Sequence, residues 1–230
     1  MTKPDCPPIP SRREARRRDR RDAILTLAQG YFLDHGYAGT SMSGIAAELG
    51  GSKGTLWSHF RSKEELFAAV LDRVTNTYRA ELSQILDPCG ALEATLQRAC
   101  HSLVEKVTLP DAIALHRLII AEGRRFPELA RIFFDLAPKN TRLLMADFLA
   151  GAMERGQLRQ ADPVDAARAL MALAMSGCHQ QLLMGQLGEP DPAGIRADAN
   201  FTVDLFLRAY AVDKAEGDAP PAATPSGHSA

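Results

Sequence analysis

At 230 residues, 46% hydrophobic and 24% charged, the chain has ordinary globular composition and length for one large core or two modest ones. No apolar run approaches the roughly 18 residues that span a bilayer, and the N-terminus shows no apolar signal segment. The net charge of -1 conceals an asymmetry: residues 1–63 hold eleven Lys and Arg against six Asp and Glu, and the remainder is acidic. A basic N-terminal third on an acidic body suits a protein that turns one end toward phosphate. Cys6, Cys89, Cys100 and Cys178 are widely spaced with no C-x-x-C pair. The simplest reading is a cytoplasmic protein with reduced, buried and inert thiols.

In chain order, four prolines among residues 1–11 predict disorder. Ser11 to Arg21, SRREARRRDRR, carries seven arginines. This run is open to two readings, a solvated helix extension or a basic arm along DNA; its place before a reading helix favours the arm, drawn as a disordered segment over 1–18. Helix 1 is predicted from about Arg20 to His35, with Ile24, Leu27, Ala28, Tyr31 and Phe32 on one stripe. Gly36 suits its C′ position. Thr40 or Ser41 N-caps a second helix with core face Met42, Ile45, Ala46 and Leu49. Gly50-Gly51 forms a turn and Ser52 caps a third helix, in which Leu56 and Phe60 point inward. Ser62 with Glu65 makes a capping box that starts helix 4 at Lys63, continuing to about Leu86.

Two short helices joined by a glycine turn, the second bearing Lys53, Thr55, Trp57, Ser58 and His59, form the pattern of a helix-turn-helix over about 42–61. Such a helix holds too many polar and aromatic groups for a core. Beyond it every segment reads helical, over about 91–108, 111–124, 127–136, 139–156, 163–187 and 194–213. Prolines near the starts and Gly156 and Gly188 at stops fit this division. The tail 214–230 is low-complexity and predicted disordered.

The stretch from about Arg20 to Tyr78 resembles the TetR/AcrR family of regulators. The likeness rests on Gly36-Tyr37 with Thr40, Ile45-Ala46-Ala47, Ser52-Lys53-Gly54-Thr55-Leu56, His59-Phe60 and Ser62-Lys63-Glu64-Glu65-Leu66. IIAEGRRFPELARIFF at Ile119–Phe134 resembles the AefR-like C-terminal domain found in part of that family. Trp57 stands where tyrosine is usual, Gly51 where a small apolar side chain is, and Gly44 where an acidic residue is common. The resemblance implies an all-α fold, with a DNA-binding domain over 19–79 and an effector-binding and dimerisation domain of about six helices over 80–213. It further implies control of efflux, lipid or catabolic genes.

The candidate DNA contacts are Thr40, Ser41, Ser52, Lys53, Gly54, Thr55, Trp57, Ser58, His59 and Lys63. Thr40, Ser41 and Lys63 lie at helix N-termini and would hold phosphate and set register. Lys53 can donate to guanine, the Thr55 methyl can meet a thymine methyl, and Gly54 admits close backbone approach. Each residue alone reads as readily as a solvated or packed side chain; the group on one short helix carries the DNA reading. A single such unit makes few contacts, so a homodimer on a palindromic operator is expected, with reading helices about 34–36 Å apart or a multiple of that. Its interface is placed on 163–187 and 194–213, which look apolar on nearly every face.

The body mixes large apolar groups with a few polar ones, as a small-molecule pocket or a satisfied core would. His101, His116, Arg117, Phe134, Met145, Phe148, Met175, Cys178 and His179 are the candidate effector contacts, on the strength of the resemblance. A hydrophobic or amphipathic effector would act through helix 4. No cofactor or metal is expected. An enzyme is disfavoured: His101 and His116 lie fifteen apart, and neither H-E-x-x-H, a Gly-rich phosphate loop nor G-x-S-x-G occurs. An effector-independent or activating regulator stays open, and so, at greater distance, does a helical module with a membrane-binding basic arm.

Overall fold

The computed structural model describes residues 11–50 and 53–212, and among these every regular element is a helix. The helix α1, Arg12–Gly39, starts earlier than the apolar stripe. Ser11 caps it: its Oγ accepts the Glu14 N–H at 3.3 Å while the Glu14 carboxylate accepts the Ser11 N–H at 2.8 Å. This reciprocal pair satisfies two end donors, so residues 12–18 are helical and the disordered arm drawn over 1–18 is corrected there. Residues 1–10 and the tail 214–230 lie outside the described residues. At Gly36 (φ 71°) the helix kinks, a conformation that glycine adopts without Cβ strain.

Ser41, not Thr40, caps α2, Met42–Glu48, taking the Gly44 N–H at 3.0 Å. Next come α3, Lys53–His59, and α4, Lys63–Ile85. Ser62 Oγ accepts the Glu65 N–H at 3.1 Å, but the Glu65 carboxylate accepts from Arg61 N–H at 2.8 Å, one residue before the expected box partner. The body follows as α5 (Leu92–Thr108), α6 (Pro110–Glu122), α7 (Pro127–Leu136) and α8 (Pro138–Glu154). It closes with α9 (Pro163–Ala174), α10 (Cys178–Leu183) and α11 (Pro192–Tyr210). The single helix expected over 163–187 is therefore two. At the break the Asp198 carboxylate of α11 accepts the Cys178 N–H at 2.6 Å, and a Cβ on Gly177 would fall on that carboxylate.

Among the described residues two apolar cores form. One joins α1 to α3 with the first half of α4, and also takes in Leu118 of α6 and Leu129 and Ile132 of α7. Phe32, Tyr37 and Phe67 meet there at centroid distances of 5.1 to 5.8 Å, and Phe126 from the α6–α7 loop lies 5.2 Å from Tyr37. Burying each such ring contributes roughly 1.5–3 kcal/mol. The second core gathers the far half of α4 with α5, α8, α9 and α11. Helix α4 thus belongs to both.

Candidate functional site

The α2–turn–α3 unit stands on its core by Ile45, Ala46, Leu56 and Phe60, each at most 2% exposed. That anchoring turns the rest of α3 outward. Gly54, Trp57 and Ser58 are exposed, with Trp57 at 39%, and Thr55 and His59 are half-buried. Ser58 Oγ donates to the Thr55 carbonyl at 2.7 Å, so its lone pairs face outward as acceptors. Ser41 is exposed beside them at the start of α2. Ser52 and the side chain of Lys53 lie outside the described residues.

The arginines of α1 flank this surface. Arg20 donates to the Leu49 carbonyl at 3.4 Å, and the Arg21 guanidinium lies 5.2 Å over the Phe60 ring. Burial first, then the nearby Arg17, Arg21 and Arg20, hold the His59 pKa below its ordinary value. At neutral pH His59 is an uncharged donor and acceptor among cations.

Two expected phosphate contacts serve the fold instead. Thr40 is 2% exposed, and its hydroxyl donates toward the Gly36 and Tyr31 carbonyls at 2.7 and 3.1 Å. The Lys63 ammonium donates to the Tyr37 and Thr40 carbonyls at 2.6 and 3.1 Å, and sits 4.1 Å from the Tyr37 ring centroid. Both residues staple the 36–40 loop because its carbonyls have no helical partners. The loop's N–H groups are met from the body: the Glu122 carboxylate accepts from Tyr37 at 3.0 Å and Ala38 at 2.7 Å. At the other end of α6, Asp111 accepts from Gln29 Nε2 at 2.9 Å, and Gln29 Oε1 accepts from Arg73 of α4 at 3.1 Å. Helix α6 is tied to α1 at both ends.

In the body an apolar cavity of about 130 Å³ lies among α4 to α9, with Tyr78, Leu103, His116, Phe133, Met171 and Met175 on its walls. A groove of about 410 Å³ adjoins it between α1, α4 and α6, and the two share Val74, Lys106, Ala112 and Leu115. Of the nine expected effector contacts, only His116 and Met175 line the cavity. His179 stands behind His116, with Nε2 3.2 Å from its Nδ1. One nitrogen of that contact must carry the proton and the other the lone pair. Burial, then His179, lowers the His116 pKa to about 4, and burial lowers that of His179.

The other six candidates lie elsewhere. Met145 and Phe148 are buried in the body core. Phe134 is 49% exposed beside the Arg142 guanidinium, and His101 is on the surface near Glu105. Arg117 donates to the Leu182 and Leu183 carbonyls at 2.6 and 3.1 Å, closing the end of α10. The Cys178 thiol is pushed up to about 11 by burial, then by Asp198, and the Cys100 thiol up to about 12 by burial. Such protonated thiols are poor nucleophiles.

Sequence reasoning passed over Lys106 as a cavity residue and Glu122 as an anchor, since both roles depend on helices far apart in the chain. Among the described residues no group of three His, Cys, Asp or Glu side chains could hold a metal, and no helix is long and apolar enough to cross a membrane.

Residues 24–70 match the bacterial regulatory proteins of the tetR family, and residues 94–212 match the AefR-like transcriptional repressor C-terminal domain. The HTH-type transcriptional repressor KstR2 of Mycolicibacterium smegmatis is 28% identical over 171 residues, covering 70% of this chain and 75% of its own. A solved structure assigned to the TetR family, from Mesorhizobium loti, superposes with a TM-score of 0.75 at 26% identity. It covers 86% of this chain and 99% of its own. The flavonoid-responsive regulator FrrA gives 0.70 at 28% identity, covering 84% and 97%. These are regulators rather than enzymes, and their helical architecture is the one described above. With the AefR-like match spanning more than half of its length, the chain belongs to the TetR family of transcriptional regulators.

Proposed function

We propose that the chain is a homodimeric repressor, released from a palindromic operator by a small hydrophobic or amphipathic effector. The observation that carries the reading is the apolar cavity whose wall is shared with the groove at the reader–body junction. Filling it presses on α4 and α6, and both helices hold the 36–40 loop, through Lys63 and Glu122. A ligand that favours the displaced arrangement by a few kcal/mol changes the separation of two reading helices and lowers operator affinity. FrrA, a structural relative, is itself named for a response to a small molecule.

DNA contact is assigned to Ser41, Gly54, Thr55, Trp57, Ser58 and His59, with the α1 arginines as the phosphate-facing flank. The dimer is assigned to α9 and α11. Each buries one face, leaving Val164 at 39% and Phe201 at 52% exposed on the other. That outer face is less apolar than the sequence suggested, since Asp165 and Arg168 pair across it at 3.2 Å.

Trp57 is the only tryptophan, so its emission together with DNA anisotropy reads the interface directly. Duplex from the gene's own upstream region, at two salt concentrations, should bind with sequence preference, weaken with salt and change the tryptophan signal. Equal binding to any duplex would leave only the basic flank active, and preference for anionic vesicles would overturn the reading. A monomeric mass at micromolar concentration would remove the dimer.

A further inference from the structure

The effector reading leaves the chemistry of the ligand open, and the shared wall of the two cavities narrows it. Lys106 is half-buried on that wall. Among the described residues its ammonium has no carboxylate or carbonyl partner. The neighbouring charged groups do: Arg73 donates to the Asp22 carbonyl, Thr26 Oγ1 and Gln29 Oε1 at 3.2, 2.9 and 3.1 Å, and Asp111 accepts from Gln29. A lysine stem packed on apolar surface with an unpaired head is suited to an incoming anion.

Farther in, the buried Tyr78 ring forms part of the apolar cavity wall together with Leu103, Phe133, Met171 and Met175.

We propose that the effector is an organic acid: its carboxylate meets Lys106 and its apolar body fills the inner cavity. The proposal rests on the effector reading above and adds a charge to the ligand. It orients the molecule too, with the acid toward the reader junction and the apolar end among Met171, Met175 and Phe133.

Calorimetric titration of the full chain with 2-naphthoate and 2-naphthamide tests this, alongside decanoate and decanamide for a flexible body. The variants are Lys106→Met and Lys106→Gln, each checked for wild-type helicity. In the wild type at least one acid should bind about tenfold tighter than its amide, the size of one charge-assisted hydrogen bond. Both Lys106 variants should abolish that preference. Amides that bind as well as the acids, or an acid preference that survives loss of Lys106, would overturn the acid inference and leave the effector reading standing. Absence of binding by every compound would overturn both.

Discussion

Replacing Glu122 with alanine tests whether the body holds the reader in place. The carboxylate accepts two backbone N–H groups, from Tyr37 and Ala38, at 3.0 and 2.7 Å. Hydrogen bonds to a charged acceptor contribute roughly 1.5–3 kcal/mol each when desolvated. Ala38 is exposed and can turn to water, whereas Tyr37 is 1% exposed. The sum is therefore discounted to about 1–3 kcal/mol for the pair. Urea unfolding should show that loss, and amide exchange should accelerate at Tyr37 and Ala38 ahead of the rest of α1. Operator affinity should fall by about tenfold, because DNA binding must then order a loop that the wild type already holds. Glu122→Gln keeps one carbonyl acceptor and should recover part of the loss. Unchanged exchange at both amides, with stability within about 0.5 kcal/mol of wild type, would refute the anchoring role.

Thr40→Val removes the hydroxyl that closes the 36–40 loop. It should cost about 1–2 kcal/mol in urea unfolding with operator sequence preference intact. Lys63→Met should likewise lower stability while leaving the salt dependence of DNA binding unchanged; a slope reduced by about one contact would return Lys63 to the phosphate role. Gly36→Ala combines a left-handed φ with a Cβ that falls on the Glu122 carboxylate, and thermal unfolding should show a loss above 1 kcal/mol or so. The His116 and His179 pKa values are depressed in the folded protein. Their contribution is fully present above the unfolded value near pH 6.5 and is lost as pH falls toward 4. The order of 3 kcal/mol at His116 should appear as an acid limb in urea unfolding that flattens in His116→Leu.

What the sequence disclosed and what it hid divide along a physical line. The stripe Ile24, Ala28, Phe32 and the inward pair Leu56 and Phe60 are periodic, local signals, and they lie buried as read. The Ser62 cap is local too. The Ser11–Glu14 capping box is equally local, but it is set among seven arginines whose charge also suits an extended arm. Glycine at 177 marks the split of the 163–187 helix only once Asp198, twenty-one residues on, is known to approach it. Thr40 and Lys63 stand at helix starts, where phosphate contact is reasonable, and their turn inward depends on loop carbonyls that no spacing rule exposes. The cavity gathers side chains from six helices, so its lining follows spatial rather than chain neighbourhood, and of the nine expected effector residues only His116 and Met175 stand on its wall.

Leu118, Leu129 and Ile132 are buried in the core that α1 to α4 build. A reader cut out at residue 79 would face water with the apolar surface those three cover. Modular exchange, in which one regulator's recognition unit is grafted onto another's sensor, therefore has a seam that does not follow the chain. A graft that respects it carries the inner strip of α6 and α7 along with the reading helices, or rebuilds that strip in the recipient to match.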